Sequence, residues 1–82
     1  MYFVYVLYSE KFQRTYTGMT SDVLKTLKQH NAQQNRSTKA YVPWKIIFIE
    51  EFKTRKEARG KEKYLKTGVG RDFIKTLVLS QL

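Results

Sequence analysis

Helical spacing between Ala58 and Leu65 calls for an apolar side chain one turn after Ala58, and the residue there is Glu62. An unpaired buried carboxylate costs several kcal/mol, so Glu62 must meet a cation, a metal or a water-filled cleft. A pair with a neighbouring Lys or Arg at the edge of the stripe would satisfy it equally well. His30 is the one histidine, falling one and two turns after Thr26 and Val23, on or beside the apolar side of its helix. It is either a hydrogen-bonded packing residue or, if it shares a cleft with other polar groups, a group that accepts or relays a proton near neutral pH. Tyr5 and Tyr16 lie on two strand-like runs, where tyrosine serves as core or as a stacking surface.

The elements that must position these residues follow from local pattern. Tyr2 to Tyr8 is β-branched and aromatic, and both alternating faces (Tyr2, Val4, Val6, Tyr8 against Phe3, Tyr5, Leu7) are largely apolar, which predicts a central strand covered on two sides. A short polar link, Ser9 to Gln13, leads to a second strand-like run, Arg14 to Gly18, as in a hairpin ended by the glycine. Ser21 or Asp22 can cap a helix over 22–31, with Val23, Leu24 and Leu27 at helical spacing. Residues 32–43 are polar, then basic, and close with a proline, which predicts a surface loop able to touch a ligand. Trp44 to Phe52 reads as a third strand buried on both faces. Thr54 and Glu57 have capping-box spacing, predicting a helix to about Lys66. Thr67-Gly68-Val69-Gly70 reads as a break, after which Phe73, Ile74, Leu77 and Val78 define a C-terminal helix, with Leu82 a further candidate for its stripe.

With 82 residues the chain is expected to form a single domain, 1–82, with one core, and 41% apolar residues supply that core without a staple. The absence of cysteine removes disulfides, thiolate zinc sites and thiol nucleophiles, and fits a cytoplasmic setting. No apolar run approaches the length of about eighteen residues needed to span a bilayer, and the start MYFVYVLYSE lacks the basic region of a signal peptide, so a soluble, unprocessed protein is expected. Sixteen Lys and Arg against seven Asp and Glu leave +9, which favours polyanions and, first among them, nucleic acid. Lys25, Lys28, Arg36, Lys39, Arg59 and Lys63 are the candidates for phosphate contact, within a basic surface that also includes Lys66 and Arg71. A basic surface that serves solubility alone is the competing reading.

The residue types at Phe3-Val4-Tyr5 and Tyr16-Thr17-Gly18, with the tyrosines eleven positions apart, resemble the paired motifs that name the GIY-YIG family. The likeness continues through Asp22, His30-Asn31, the stretch Ser37 to Lys45, Glu50-Glu51-Phe52, and the helix carrying Glu57-Ala58, Glu62-Lys63 and Leu65-Lys66. The tail Gly68-Val69-Gly70-Arg71 is similar to that of the short bacterial proteins of the family. The resemblance implies an α+β fold, a three-stranded antiparallel sheet flanked by helices, and cleavage of phosphodiester bonds in DNA with one divalent metal, Mg2+ or Mn2+. Carried over by position, Tyr5 and Tyr16 would flank the scissile phosphate, one helping to activate water, with His30 in the same proton network and Glu62 holding the metal. The chemistry suits those types, because a carboxylate-held cation can neutralise charge that builds on the phosphate oxygens.

One position departs from the family pattern. One turn before His30, where the family places a phosphate-contacting arginine, this chain has Thr26. Loss of one preorganised donor costs about 10²- to 10³-fold in rate, and neighbouring Lys25 and Lys28 offer point charges where arginine offers a planar fork. Gly60 also replaces a commonly long, basic side chain. Three readings stay open: a metal-dependent endonuclease of DNA repair or recombination, weakened to the extent that Thr26 matters; a nucleic-acid-binding module of the same fold that has lost cleavage; and, last, a basic protein that contacts acidic protein partners. So small a domain offers little surface for a specificity element, so either a protein partner supplies targeting or specificity is low.

Overall fold

The computed structural model describes Met1–Leu82 as an α+β fold with a three-stranded antiparallel sheet. Strand β1 (Tyr2–Ser9) lies between β2 (Arg14–Thr20) and β3 (Lys45–Phe52). Helix α1 (Val23–Asn31) follows the hairpin, a short 3-10 turn forms at Lys39–Tyr41, and α2 (Arg55–Leu65) and α3 (Gly68–Leu79) follow the sheet.

The alternation in β1 sends its side chains into two separate cores. Val4 and Val6 pack with Ala58 and Leu65 of α2 and Ile74 of α3. Tyr5 and Leu7 point the other way, to Trp44, with Leu27 of α1, Tyr16 and Ile46 around them. As expected, β1 is central and buried on both faces. The third strand differs from its expectation: it pairs only with β1, so it is an edge strand, mostly half-buried, and Ile49 is 48% exposed. A run of four apolar residues does not reveal which strand the sheet will place in the middle. A register shift opposite Val6 and Leu7 skips Ile47, which joins the core on the α2 side.

Two boundaries and one stripe residue also differ. Gly18 does not end β2; it sits inside the strand opposite Tyr5, and a Cβ there would lie 2.5 Å from the Tyr5 hydroxyl. The glycine is the space through which the tyrosine passes. In α1, Asp22 accepts from the Lys25 amide as the cap, but Leu24 is 70% exposed; the inward stripe runs through Val23, Leu27 and His30. Finally, Thr67-Gly68-Val69-Gly70 is the start of α3, with Thr67 capping the Gly70 amide. A Cβ on Gly70 would collide with the backbone of Tyr64 and Leu65, so the glycine lets α3 begin hard against the end of α2. Leu82 lies beyond the helix and is exposed.

The capping box predicted for α2 is present in both directions, Glu57 amide to Thr54 hydroxyl and Thr54 amide to Glu57 carboxylate. Gly60, mid-helix and exposed, has open space where a Cβ would stand. Gly60→Ala should therefore raise stability by about 0.5–1 kcal/mol, read as a rise in thermal midpoint of several degrees with unchanged cooperativity. A drop would mean that the position needs its backbone freedom.

Candidate functional site

Tyr5 on β1 and Tyr16 on β2 share a sheet face, because Tyr16 pairs with Leu7, two residues along from Tyr5. Their ring centroids lie 6.4 Å apart, and the His30 ring sits 5.0 Å from that of Tyr16 and 6.1 Å from that of Tyr5. The Tyr5 hydroxyl is 3.2 Å from His30 Nε2, and His30 Nδ1 is 2.7 Å from Thr38 Oγ1. The sheet and α1 thus bring together three residues that the sequence separates.

Thr38 was not among the residues singled out from sequence. It is buried, although the segment around it reads as a surface loop. The Trp44 indole donates to the Thr38 carbonyl at 3.0 Å, and Asn31 grips the Trp44 backbone from both sides, accepting from its amide at 2.6 Å and donating to its carbonyl at 3.1 Å. The loop is folded back onto the end of α1 by these bonds. No local pattern announces this, since it depends on contacts thirteen residues apart.

Burial lowers the His30 pKa from its ordinary 6.5, so the ring is neutral at pH 7. A neutral imidazole has one donor and one acceptor nitrogen. If Nδ1–H donates to Thr38, whose own proton can turn toward the Asn35 carbonyl at 3.5 Å, then Nε2 is the acceptor for the Tyr5 proton. Burial, then the charges of Tyr16 and Glu62, push the Tyr5 pKa well above the usual tyrosine value. Tyr5 keeps its proton and is a poor base as it stands. Because the unfolded chain binds a proton at His30 before the folded chain does, stability should fall as pH drops below about 6.5 toward the lowered folded value. His30→Gln should flatten that part of the curve. A wild-type thermal midpoint independent of pH between 7 and 5 would contradict the burial of a neutral ring.

Glu62 lies on α2 with its side chain 17% exposed, 3.5 Å from Arg59 Nε and 3.4 Å from Lys66 Nζ. The pairing with neighbouring cations that its position allowed is therefore realised. Its charge also contributes to the shift at Tyr5, which ties it electrostatically to the tyrosine cluster. No group of three or more His, Cys, Asp or Glu could cage a metal. A single largely occluded carboxylate, whose charge reaches Tyr5, offers a hard oxygen ligand, which fits a cation that keeps most of its water and takes up phosphate oxygens.

Thr26 is half-buried on α1, its hydroxyl 2.7 Å from the Thr20 hydroxyl of β2. The residue one turn before His30 thus turns toward the strand that carries Tyr16. The six basic candidates, Lys25, Lys28, Arg36, Lys39, Arg59 and Lys63, are all exposed, and Arg59 is the one bonded to a residue of the site, Glu62. Lys45 and Lys61 are engaged by Glu10 and Glu50.

Comparison with known proteins places these residues in a wider setting. A family model described as the GIY-YIG catalytic domain matches residues 1–73, which contain Tyr5, Tyr16, His30, Thr38 and Glu62. A UPF0213 protein of Clostridium perfringens (strain 13 / Type A) is 34% identical over 67 residues, covering 80% of this chain and 71% of that protein. No solved structure matches the chain. No helix is long and apolar enough to cross a membrane.

Proposed function

We propose, from the premise that this chain belongs to the GIY-YIG catalytic domain family, that it hydrolyses phosphodiester bonds in DNA at the cluster of Tyr5, Tyr16, His30 and Glu62. The observation that carries this reading is the convergence of both tyrosines on one buried histidine, with the Glu62 charge felt at Tyr5. Structural packing alone does not require a carboxylate there.

The residues divide the work by their surroundings. Tyr5 retains its proton, and the chain Tyr5–His30–Thr38 fixes its hydroxyl direction. Tyr16 is only partly buried, which supports it as the tyrosine that meets an attacking water. Glu62 would hold a divalent cation, Mg2+ or Mn2+, which when bound neutralises charge developing on the phosphate oxygens. In the free protein Arg59 and Lys66 balance the carboxylate. Phosphate contacts from Lys25, Lys28, Arg36, Lys39, Arg59 and Lys63 would hold the backbone without reading bases. Work in DNA repair or recombination in the cytoplasm, with a protein partner supplying specificity, completes this reading.

A specific observation favours a second reading, a binding module without cleavage. The Thr26 hydroxyl is engaged by Thr20 and offers no planar donor to a phosphate. One experiment separates the two. Supercoiled and branched DNA incubated with the protein and Mg2+ or Mn2+ should be nicked slowly, and chelation should stop the reaction. Intact DNA that is nevertheless retarded in gels at low salt, and released steeply as salt rises, would establish the binding module instead.

A further inference from the structure

We infer that the open cleft between β2 and α3 receives an unpaired nucleotide of the DNA strand beside the scissile phosphate, an inference that rests on the nuclease reading above. The cleft has a volume of about 860 Å³, within the ~300–1,000 Å³ typical of small-molecule sites. Lys66, Arg71 and Lys75 stand around it, Arg14 reaches its edge with its guanidinium over the Tyr41 ring, and no Asp or Glu lines it. Its floor is apolar, with Ile74 and Val78.

Two residues join this cleft to the cluster already described. Tyr16 contributes to its wall from β2, the edge strand, while its ring lies on the other face of that strand against Tyr5 and His30. Lys66 lines it while its ammonium pairs with Glu62. Arg71 and Lys75 are exposed, one turn apart on α3, and make no ion pair. Ile74, Lys75 and Val78 lie beyond residue 73, where the family match ends, so part of this cleft is built outside the matched region.

The chemistry selects the occupant. A bare phosphate gains nothing from an apolar floor. A duplex gains little, because its base faces are already stacked on one another and only phosphates and groove edges are presented. An unpaired nucleotide carries an anion and an uncovered flat face together, the combination that single-strand grooves use. The site would therefore favour DNA with a single-stranded segment next to the point of cutting.

The test is binding in the presence of a chelator, so that cutting plays no part. Val78 and Ile74 methyl resonances are followed during titration with a five-nucleotide oligothymidylate or with a blunt hairpin duplex. The single strand should shift both methyls, and the duplex should leave them in place. Arg71→Ala with Lys75→Ala should weaken single-strand binding by roughly tenfold or more while duplex binding changes less than about threefold. Lys25→Ala with Lys28→Ala, an equal loss of charge elsewhere, should show no such preference. Methyls unmoved by the single strand, or equal losses for both DNA forms in the α3 pair, would overturn the inference. So would methyls that move with decyl phosphate and not with the oligonucleotide, which would assign the cleft to an anionic amphiphile. Failure of nicking with the methyl shifts present would remove the nuclease reading and leave the nucleotide site; nicking with the methyls unmoved would do the reverse.

Discussion

Glu62→Ala should lower single-turnover cutting of DNA by about 10³-fold or more, since a metal ion at a phosphoryl centre supplies several kcal/mol of transition-state stabilisation. The loss should be chemical and not structural. Glu62 makes two ion pairs, but Arg59 and Lys66 are about half exposed, and such pairs are worth only ~0–1 kcal/mol. Thermal stability should therefore change little. DNA binding should be equal or slightly tighter, because the variant removes a negative charge beside a polyanion and frees two cations. Fluorescence anisotropy at fixed salt checks binding, and a nicking time course checks chemistry. Cutting at the wild-type rate would end the metal role of Glu62. Loss of cutting together with loss of binding would mean that the carboxylate organises the surface instead.

Glu62 also shows how far local pattern reaches. Its carboxylate interrupts an apolar stripe at helical spacing, which is legible in the sequence, and the neighbours Ala58 and Leu65 are both fully buried. The capping box at Thr54 and the doubly apolar β1 were legible for the same reason: their signals lie within one turn or one strand. What the pattern could not show depends on partners far along the chain. Gly18 reads as a terminator until the Tyr5 ring is seen to need its space. Gly70 reads as part of a break until α2 is seen to end against it. Thr38 reads as loop until Trp44 and Asn31 fold it under His30. The apolar run of β3 contains no information about its place at the sheet edge. The walls of the β2–α3 cleft come from both ends of the chain, and only the packing of α3 gathers Thr15 and Thr17 of β2 with Arg71 and Lys75.

The second large effect is a gain. Thr26→Arg should increase the cutting rate by about 10²- to 10³-fold, the amount that one preorganised donor contributes to a charged transition state. The increase should appear mainly in kcat, because a donor aimed at developing charge contributes little to ground-state binding. Position 26 turns toward Thr20 on β2, on the same side of α1 as His30, so an arginine there can extend along the strand toward Tyr16 with its stem on half-buried surface. The structural cost is small: the Thr20–Thr26 hydrogen bond is worth about 0.5–1.5 kcal/mol, partly offset by the better helix propensity of arginine. Thr26→Lys is the decisive control. It adds the same charge without the fork, and should recover less than about a tenth of the gain. Equal stimulation by lysine would reduce the effect to electrostatic attraction of DNA, and the salt dependence of KM would then steepen in both variants. A folded Thr26→Arg protein that cuts no faster than the unaltered chain would show that α1 does not face the phosphate, and the placement of the scissile bond between Tyr5 and Tyr16 would have to be abandoned.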